Sequence, residues 1–251
     1  MQKYSADLHV HTVLSPCGDL DMSPANIVEA AARKRIDILG IADHNHTKHC
    51  ALIRKMAEQK GIFVLGGAEV TTREEIHCLA FFENNELLEE FQQYLETYLP
   101  LINNRPEVFG HQVVVDEEEM IVEEIGPLLI SGIEQSLEQV EEKVHSLGGL
   151  FIPAHIDRPS FSLMSQLGFI PPGLKADALE ISANTTAEQI IGLYPELGSY
   201  SFIGNSDAHH PAQIGKRFSR FCMKEISFDE IGKALRKAGG RGVEIVNAPL
   251  Q

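Results

Sequence analysis

Asp7-Leu8-His9-Val10-His11 closes an apolar run with two imidazoles at positions i and i+2. On a strand the two rings share one face. Imidazole nitrogens are good donors to Zn, Fe, Mn or Ni, and two of them on a rigid strand need little ordering before an ion arrives. Taken alone, the pair fits ordinary hydrogen bonding at a strand end equally well. Its company decides between the readings. Asp43-His44, Glu69, His77, His155 and Asp207-Ala208-His209 each fall near the end of an apolar run or on a short loop, where a barrel-type enzyme places its chemistry.

The elements that must position these residues are legible as an alternation. Short apolar runs at 36–42, 63–68, 76–82, 150–154, 178–181 and 201–204 read as buried strands. Ser23-Pro24 opens a helix through about Lys34 with Ser23 as its cap, Thr47 to Gln59 reads as a helix ending at Gly61, and Glu134 to Leu147 reads as an amphipathic helix. This rhythm predicts an α/β fold with the polar residues gathered at the C-terminal ends of the strands. Residues 83–132 break the rhythm, carrying the acidic block Asp116-Glu117-Glu118-Glu119. They read as an insertion in a single domain spanning 1–251, the block being a solvated face.

The bulk properties narrow the function classes. A chain of 251 residues can bury a sizeable core. Lys and Arg number 21 against 36 Asp and Glu, a formal charge of −15, so the electrostatic footprint of a duplex-binding protein is missing and duplex nucleic acid is a poor first expectation. A small anionic substrate would instead be drawn by the local field of bound cations. Cys17, Cys50, Cys78 and Cys222 are widely spaced with no CxxC pair, which fits a reduced, cytoplasmic setting. No basic-then-apolar leader precedes Asp7 and no apolar run reaches membrane-spanning length.

His9-Val10-His11, Ala42-Asp43-His44-Asn45, Gly67-Ala68-Glu69, Ile76-His77, Pro153-Ala154-His155 and Asn205-Ser206-Asp207-Ala208-His209 stand in the order of the metal motifs of the PHP (polymerase and histidinol phosphatase) superfamily, which the chain resembles over most of its length outside the insertion. The resemblance implies a distorted (βα)7 TIM-like barrel that binds two or three divalent transition-metal ions (Zn, Mn or Fe) and hydrolyses phosphate esters. Carried over to these positions, it implies a first ion on His9, His11, Glu69 and Asp207. Glu69 would bridge to a second ion on His77 and His155, and His44 and His209 would help hold a third. Mixed imidazole and carboxylate donors suit such ions, and a bridging carboxylate screens two cations held close together.

Where some relatives supply a histidine or aspartate to the third ion, this chain has Ser15-Pro16-Cys17-Gly18-Asp19. Cys17 as a thiolate is placed ahead of Asp19 as the donor, against the alternative that Cys17 is only packing. His46 and His49 are expected to share the face of one helix without ligating. His111 and His145 are expected to be structural. Arg158, in the loop after His155, is the best candidate to fork a substrate phosphate, with a salt bridge to Asp157 or another carboxylate as the competing reading; Lys216 and Arg217 are weaker candidates. His210 is a further substrate-binding candidate.

The function expected is a metal-dependent phosphoesterase acting on a small phosphorylated metabolite or nucleotide through a metal-activated hydroxide, with Asp207 in the catalytic set and His209 or His44 available to protonate the leaving alkoxide. The alternatives are amidohydrolase-type C–N hydrolysis, which would leave Arg158 without a use, and a non-catalytic metal-binding module.

Overall fold

The computed structural model describes residues 1–247. In its first half, β1 (Gln2–Val10), α1 (Pro24–Arg33), β2 (Ile38–His44), α2 (His49–Glu58), β3 (Phe63–Thr71), β4 (His77–Phe82) and α3 (Asn85–Tyr98) follow in order. A short helix α4 (Pro106–Phe109), a hairpin of β5 (Val113–Val115) and β6 (Ile121–Glu124), and α5 (Leu137–Ser146) come next. The second half holds β7 (Leu150–Pro153), α6 (Leu163–Leu167), β8 (Leu179–Glu180), α7 (Ala187–Leu193), β9 (Phe202–Ile203), β10 (Arg217–Met223), α8 (Phe228–Leu235) and β11 (Gly242–Asn247).

The main sheet runs β11-β10-β1-β2-β3-β4-β7, and β8 and β9 form a parallel pair. Single rungs curl this into a barrel. Asp177 and Ile156 donate to Phe151 and Glu180 between β7 and β8, and Ala208 beyond β9 exchanges bonds with His9 and His11 beside β1. The strands β1, β2, β3, β4, β7, β8 and β9 therefore trace the distorted TIM-like ring, and β10 and β11 extend antiparallel from β1 outside it. The strand β4 runs antiparallel to both β3 and β7. That reversal corrects one expectation: His77 stands at the start of its strand, and only because β4 points the other way does it reach the same end of the barrel as His44 and Glu69.

Side chains of Leu8, Ile38, Leu65, Phe81 and Ile152 fill the inside of the curl, closed off by Ile231 and Leu235 of α8. Leu39, Ile41, Val64 and Phe82 pack outward against Ile27, Ile53, Phe91 and Val140 of the helices. With both faces covered, β2 is buried along its whole length, the pattern of an internal α/β strand. Strands approach closely where glycine permits: a Cβ on Gly67 would run into the carbonyl oxygen of Ala80. Ser23 caps α1, and Ser136 with Gln139 forms a capping box on α5. The helix expected from Thr47 begins at His49, so His46 precedes it. Residues 83–132 open with α3, whose Leu88, Phe91 and Leu95 join the outer core layer; the irregular part follows it.

Candidate metal centre

A register shift between Asp7 and Val10 interrupts the pairing of β1 with β2. Leu8 packs in the inner cluster and Val10 in the outer one, so strict alternation fails here, as at a bulge, and His9 and His11 both reach the open end of the curl. Their Nε2 atoms lie 3.2 Å apart. The Nε2 of His9 is 3.3 Å from Glu69 Oε1 and 3.4 Å from Asp207 Oδ1. The Nε2 of His11 is 3.4 Å from Glu69 Oε2 and 3.3 Å from Asp207 Oδ1. Donors held tetrahedrally at about 2.0–2.1 Å from one ion lie about 3.3 Å from each other, the separation that each of the two carboxylates keeps from both imidazole nitrogens, and the donor atoms of His9, His11 and Glu69 all lie within 4.8 Å of one another.

Glu69, at the end of β3, is the hub. Its Oε1 is 2.9 Å from His77 Nδ1 and 3.1 Å from His155 Nε2, and its Oε2 is 3.2 Å from His44 Nδ1. His44 Nδ1 and His155 Nδ1 are buried without a hydrogen-bond partner among the described residues. A buried nitrogen left unbonded beside a carboxylate is costly, and an ion that takes electron pairs from both would remove the cost at His44. A further group brings donor atoms of His11, Cys17, His44 and His209 within 4.8 Å of one another. Cys17 is exposed as a residue, yet its sulfur belongs to this group, whereas Asp19 lies in a separate exposed group with Asp21 and His210. The donor set is thus three-lobed, and it fits divalent ions of the borderline type.

The surrounding hydrogen bonds fix the tautomers. His9 Nδ1 faces the Glu180 carboxylate at 3.0 Å, and since a carboxylate only accepts, Nδ1 carries a proton, which leaves Nε2 as the nitrogen an ion would engage. Glu180 also accepts from the His155 amide and from Asn205 Nδ2. Ser15 Oγ gives its one proton to Asp43 at 2.7 Å, so it accepts from His11 Nδ1 at 3.0 Å, again freeing Nε2. By the same logic Thr12 Oγ1 donates to Asp43 and accepts from His49 Nδ1, whose Nε2 accepts the Val115 amide of β5. His209 Nδ1 donates to the Asp207 carbonyl at 2.9 Å. Of these partners, Glu180 had a signal in the sequence, a lone carboxylate inside the apolar run Ala178-Leu179-Glu180-Ile181. Ser15 and Thr12 had none.

The electrostatics follow from crowding. Burial raises the cost of a charged Glu69, but His77, His9 and His44 around it hold its pKa well below the usual range. Burial likewise opposes a charged His9, and Glu180, Asp207 and Glu69 together outweigh it and raise its pKa. Burial dominates at His44 and at His209, whose pKa falls to about 4. Burial and the carboxylates of Glu69 and Asp43 push the Cys17 thiol up; a thiolate there requires a cation to offset them.

Other residues go elsewhere. Arg158 donates from one guanidinium nitrogen to Asp207 Oδ2 at 2.5 Å, while Asp157 is taken by Ser182; of the two readings of Arg158, the salt bridge is present, to a donor-set carboxylate. Arg158, Lys216 and Arg217 share a cavity of about 410 Å³ beside His155 and Asp207. His210, the further substrate-binding candidate, is exposed, and its Nδ1 caps the turn 211–213 by accepting the Ala212 amide. His46 accepts the Lys48 amide, His111 pairs with Glu124, and His145 with Asp177.

The family model described as PHP domain matches residues 7–146, more than half of the chain, and one described as PHP-associated matches residues 196–239. The chain belongs to the PHP domain family, whose members are metal-dependent hydrolases. The uncharacterized Bacillus subtilis protein YqxK is 26% identical over 97% of this chain and 64% of its own length. The lesion-specific endonuclease Q of Pyrococcus furiosus superimposes with a TM-score of 0.72 at 22% identity, covering 96% of this chain and 58% of that one. A two-domain Bacteroides vulgatus protein, described as containing a predicted PHP-like metal-dependent phosphoesterase, superimposes with a TM-score of 0.62 at 17% identity, covering 99% of this chain and 66% of that one. At these identities the structural likenesses speak for the fold. The chain spans about three-fifths of the length of the first two relatives. Among the described residues no helix is long and apolar enough to cross a membrane.

One expectation falls here. The acidic balance argued against duplex nucleic acid, yet endonuclease Q, on the same fold, is seen in complex with a 27-mer duplex carrying an abasic lesion at the active site. Net charge sums the whole surface, whereas a phosphate backbone meets only the face beside the site, where Arg158, Lys216 and Arg217 line one cavity. The sum therefore excludes no duplex partner.

Proposed function

We propose that this protein is a metal-dependent phosphoester hydrolase. The observation that carries the reading is the spacing of the His9 and His11 Nε2 atoms, 3.2 Å from each other and 3.3–3.4 Å from the carboxylates of Glu69 and Asp207. His77 and His155 extend the set through Glu69, and Cys17, His44 and His209 extend it beside His11. Divalent ions held there would supply Lewis-acid activation of water and neutralise charge on the phosphoryl group. The chain's own part is to engage Nδ1 of His9 and His11 through Glu180 and Ser15, so that Nε2 is the nitrogen aimed at an ion, and to present Arg158 to a phosphate oxygen with donors that Asp207 leaves unused. Burial favours the neutral, electron-pair-donating form of His44 and His209, which supports ion binding as their first role over proton delivery to the leaving alkoxide.

The cavity of about 410 Å³ has room for a small phosphorylated metabolite or nucleotide. A second reading, scission of a DNA strand at a lesion, is favoured by the likeness to endonuclease Q. Both are tested by one panel: nucleoside monophosphates, sugar phosphates, an amide substrate and a duplex oligonucleotide with an abasic site, each with added Zn, Mn or Fe and with chelator. Metal-dependent phosphate release from the small esters supports the first reading and strand scission the second. Turnover of the amide alone, or full metal loading without turnover of anything, overturns both.

A further inference from the structure

Phe161 is a large apolar side chain left 42% exposed beside the metal centre. Single exposed apolar residues are ordinary; this one is held in place by two features. Its backbone has a φ of 53°, a left-handed conformation that side chains other than glycine adopt at a cost. Its carbonyl accepts the amide of His77 at 3.0 Å, and its ring stacks on the His77 imidazole with centroids 5.0 Å apart and planes 23° from parallel. His77 in turn touches Glu69, the hub of the donor set, at 2.9 Å. Phe161 also shares its loop with Arg158, three residues earlier, whose guanidinium lies on Asp207. One loop thus presents a cation and an aromatic ring to the same open end of the barrel.

Building on the phosphoesterase reading, we propose that the free face of Phe161 is the platform on which the substrate's nucleobase stacks. Between the Glu69 carboxylate and that face stand the His77 imidazole and the Phe161 ring itself, with centroids 5.0 Å apart, a gap for the sugar that joins a base to its phosphate. Base–aromatic stacking depends on the ring and tolerates any base, so Phe161 would select nucleotides over ring-less phosphate esters without choosing among bases. Free mononucleotides and bases within an oligonucleotide offer this same chemistry.

The test compares wild type, Phe161→Leu and Phe161→Tyr, each metal-loaded, by calorimetric binding and by KM for a nucleoside 5′-monophosphate, a short single-stranded oligonucleotide and ribose 5-phosphate. Phe161→Leu is expected to weaken the nucleotide about tenfold or more, to leave ribose 5-phosphate and metal content unchanged, and to be rescued by Phe161→Tyr. An effect on the mononucleotide alone marks free nucleotides as the occupant, and one on the oligonucleotide as well marks a strand. Equal weakening of the nucleotide and ribose 5-phosphate, or loss of a metal ion, would show that Phe161 only shields His77 and would overturn the proposal, as would wild-type protein that binds no nucleotide. If nucleotide binding depends on Phe161 while nothing is hydrolysed, the platform stands and the hydrolase reading falls.

Discussion

Glu69 receives more donor contacts than any other side chain in the centre, with His9, His11, His44, His77 and His155 all within 3.4 Å of its two oxygens. Replacing it by alanine leaves those rings without the charge that would hold two cations side by side. Glu69→Ala is therefore expected to lose at least one ion by elemental analysis and most of the turnover; full metal content with a near-normal rate would remove Glu69 from the bridging position. Arg158 makes a different prediction. If its unused donors take a phosphate oxygen, Arg158→Ala should raise KM roughly tenfold to a hundredfold, the worth of a charged hydrogen bond, with metal content intact. Loss of an ion instead would mean that its contact with Asp207 is what matters. At the third lobe, Cys17→Ser should lower metal stoichiometry and Asp19→Asn should not, because only the sulfur lies with His11, His44 and His209.

Among the elements, β8 carries a carboxylate that orients donors from two others. Glu180 fixes His9 of β1 and the His155 amide beyond β7, so Glu180→Gln is expected to weaken metal binding about 10- to 100-fold, read by competition with a chelator. The seam between α5 and β7 should set a pH dependence. His145 is raised above its ordinary 6.5 by its hydrogen bond to Asp177, so its stabilisation is complete below that value and lost as pH rises through the raised pKa. Asp177 is lowered below its ordinary 3.8: burial opposes this, and the bonds from His145, the Phe151 amide and Arg236 prevail. Its contribution is present above that value and lost as pH falls through the lowered pKa. His145→Gln should therefore lower the urea midpoint at about pH 5.5 and change it little at about pH 8.5; equal effects at both would sink the argument. These elements also show what was legible beforehand. Internal strands such as β2 announce themselves because both faces are covered, and Ser23 marks a helix start by its chemistry, whereas the helix read from Glu134 begins at Leu137 behind its cap Ser136. The reversal of β4 leaves no trace in a seven-residue apolar run, since a buried strand reads alike in either direction. The tautomer-setting roles of Thr12 and Ser15 depend on partners 28 to 37 positions away, which no local pattern encodes.

For the molecule as a whole, the donor set draws on both ends of the chain, from His9 to His209. Ions that bind only the assembled centre stabilise it by mass action, so chelation is expected to lower Tm and added metal to restore it; a Tm indifferent to both would argue against resident ions. The same span bears on how the protein is made. The rung that joins Val10 to Ala208 closes the ring across nearly two hundred residues, so it can form only after synthesis has passed Ala208. Until then His9, His11, His44, Glu69 and His77 are available without Asp207, a partial chelator of weak grip. Contacts of such sequence separation also form slowly. A ribosome-bound fragment ending before Asp207 should therefore take up metal poorly, and tight loading should coincide with completion of the barrel, making metal retention a report on whether a molecule has finished folding.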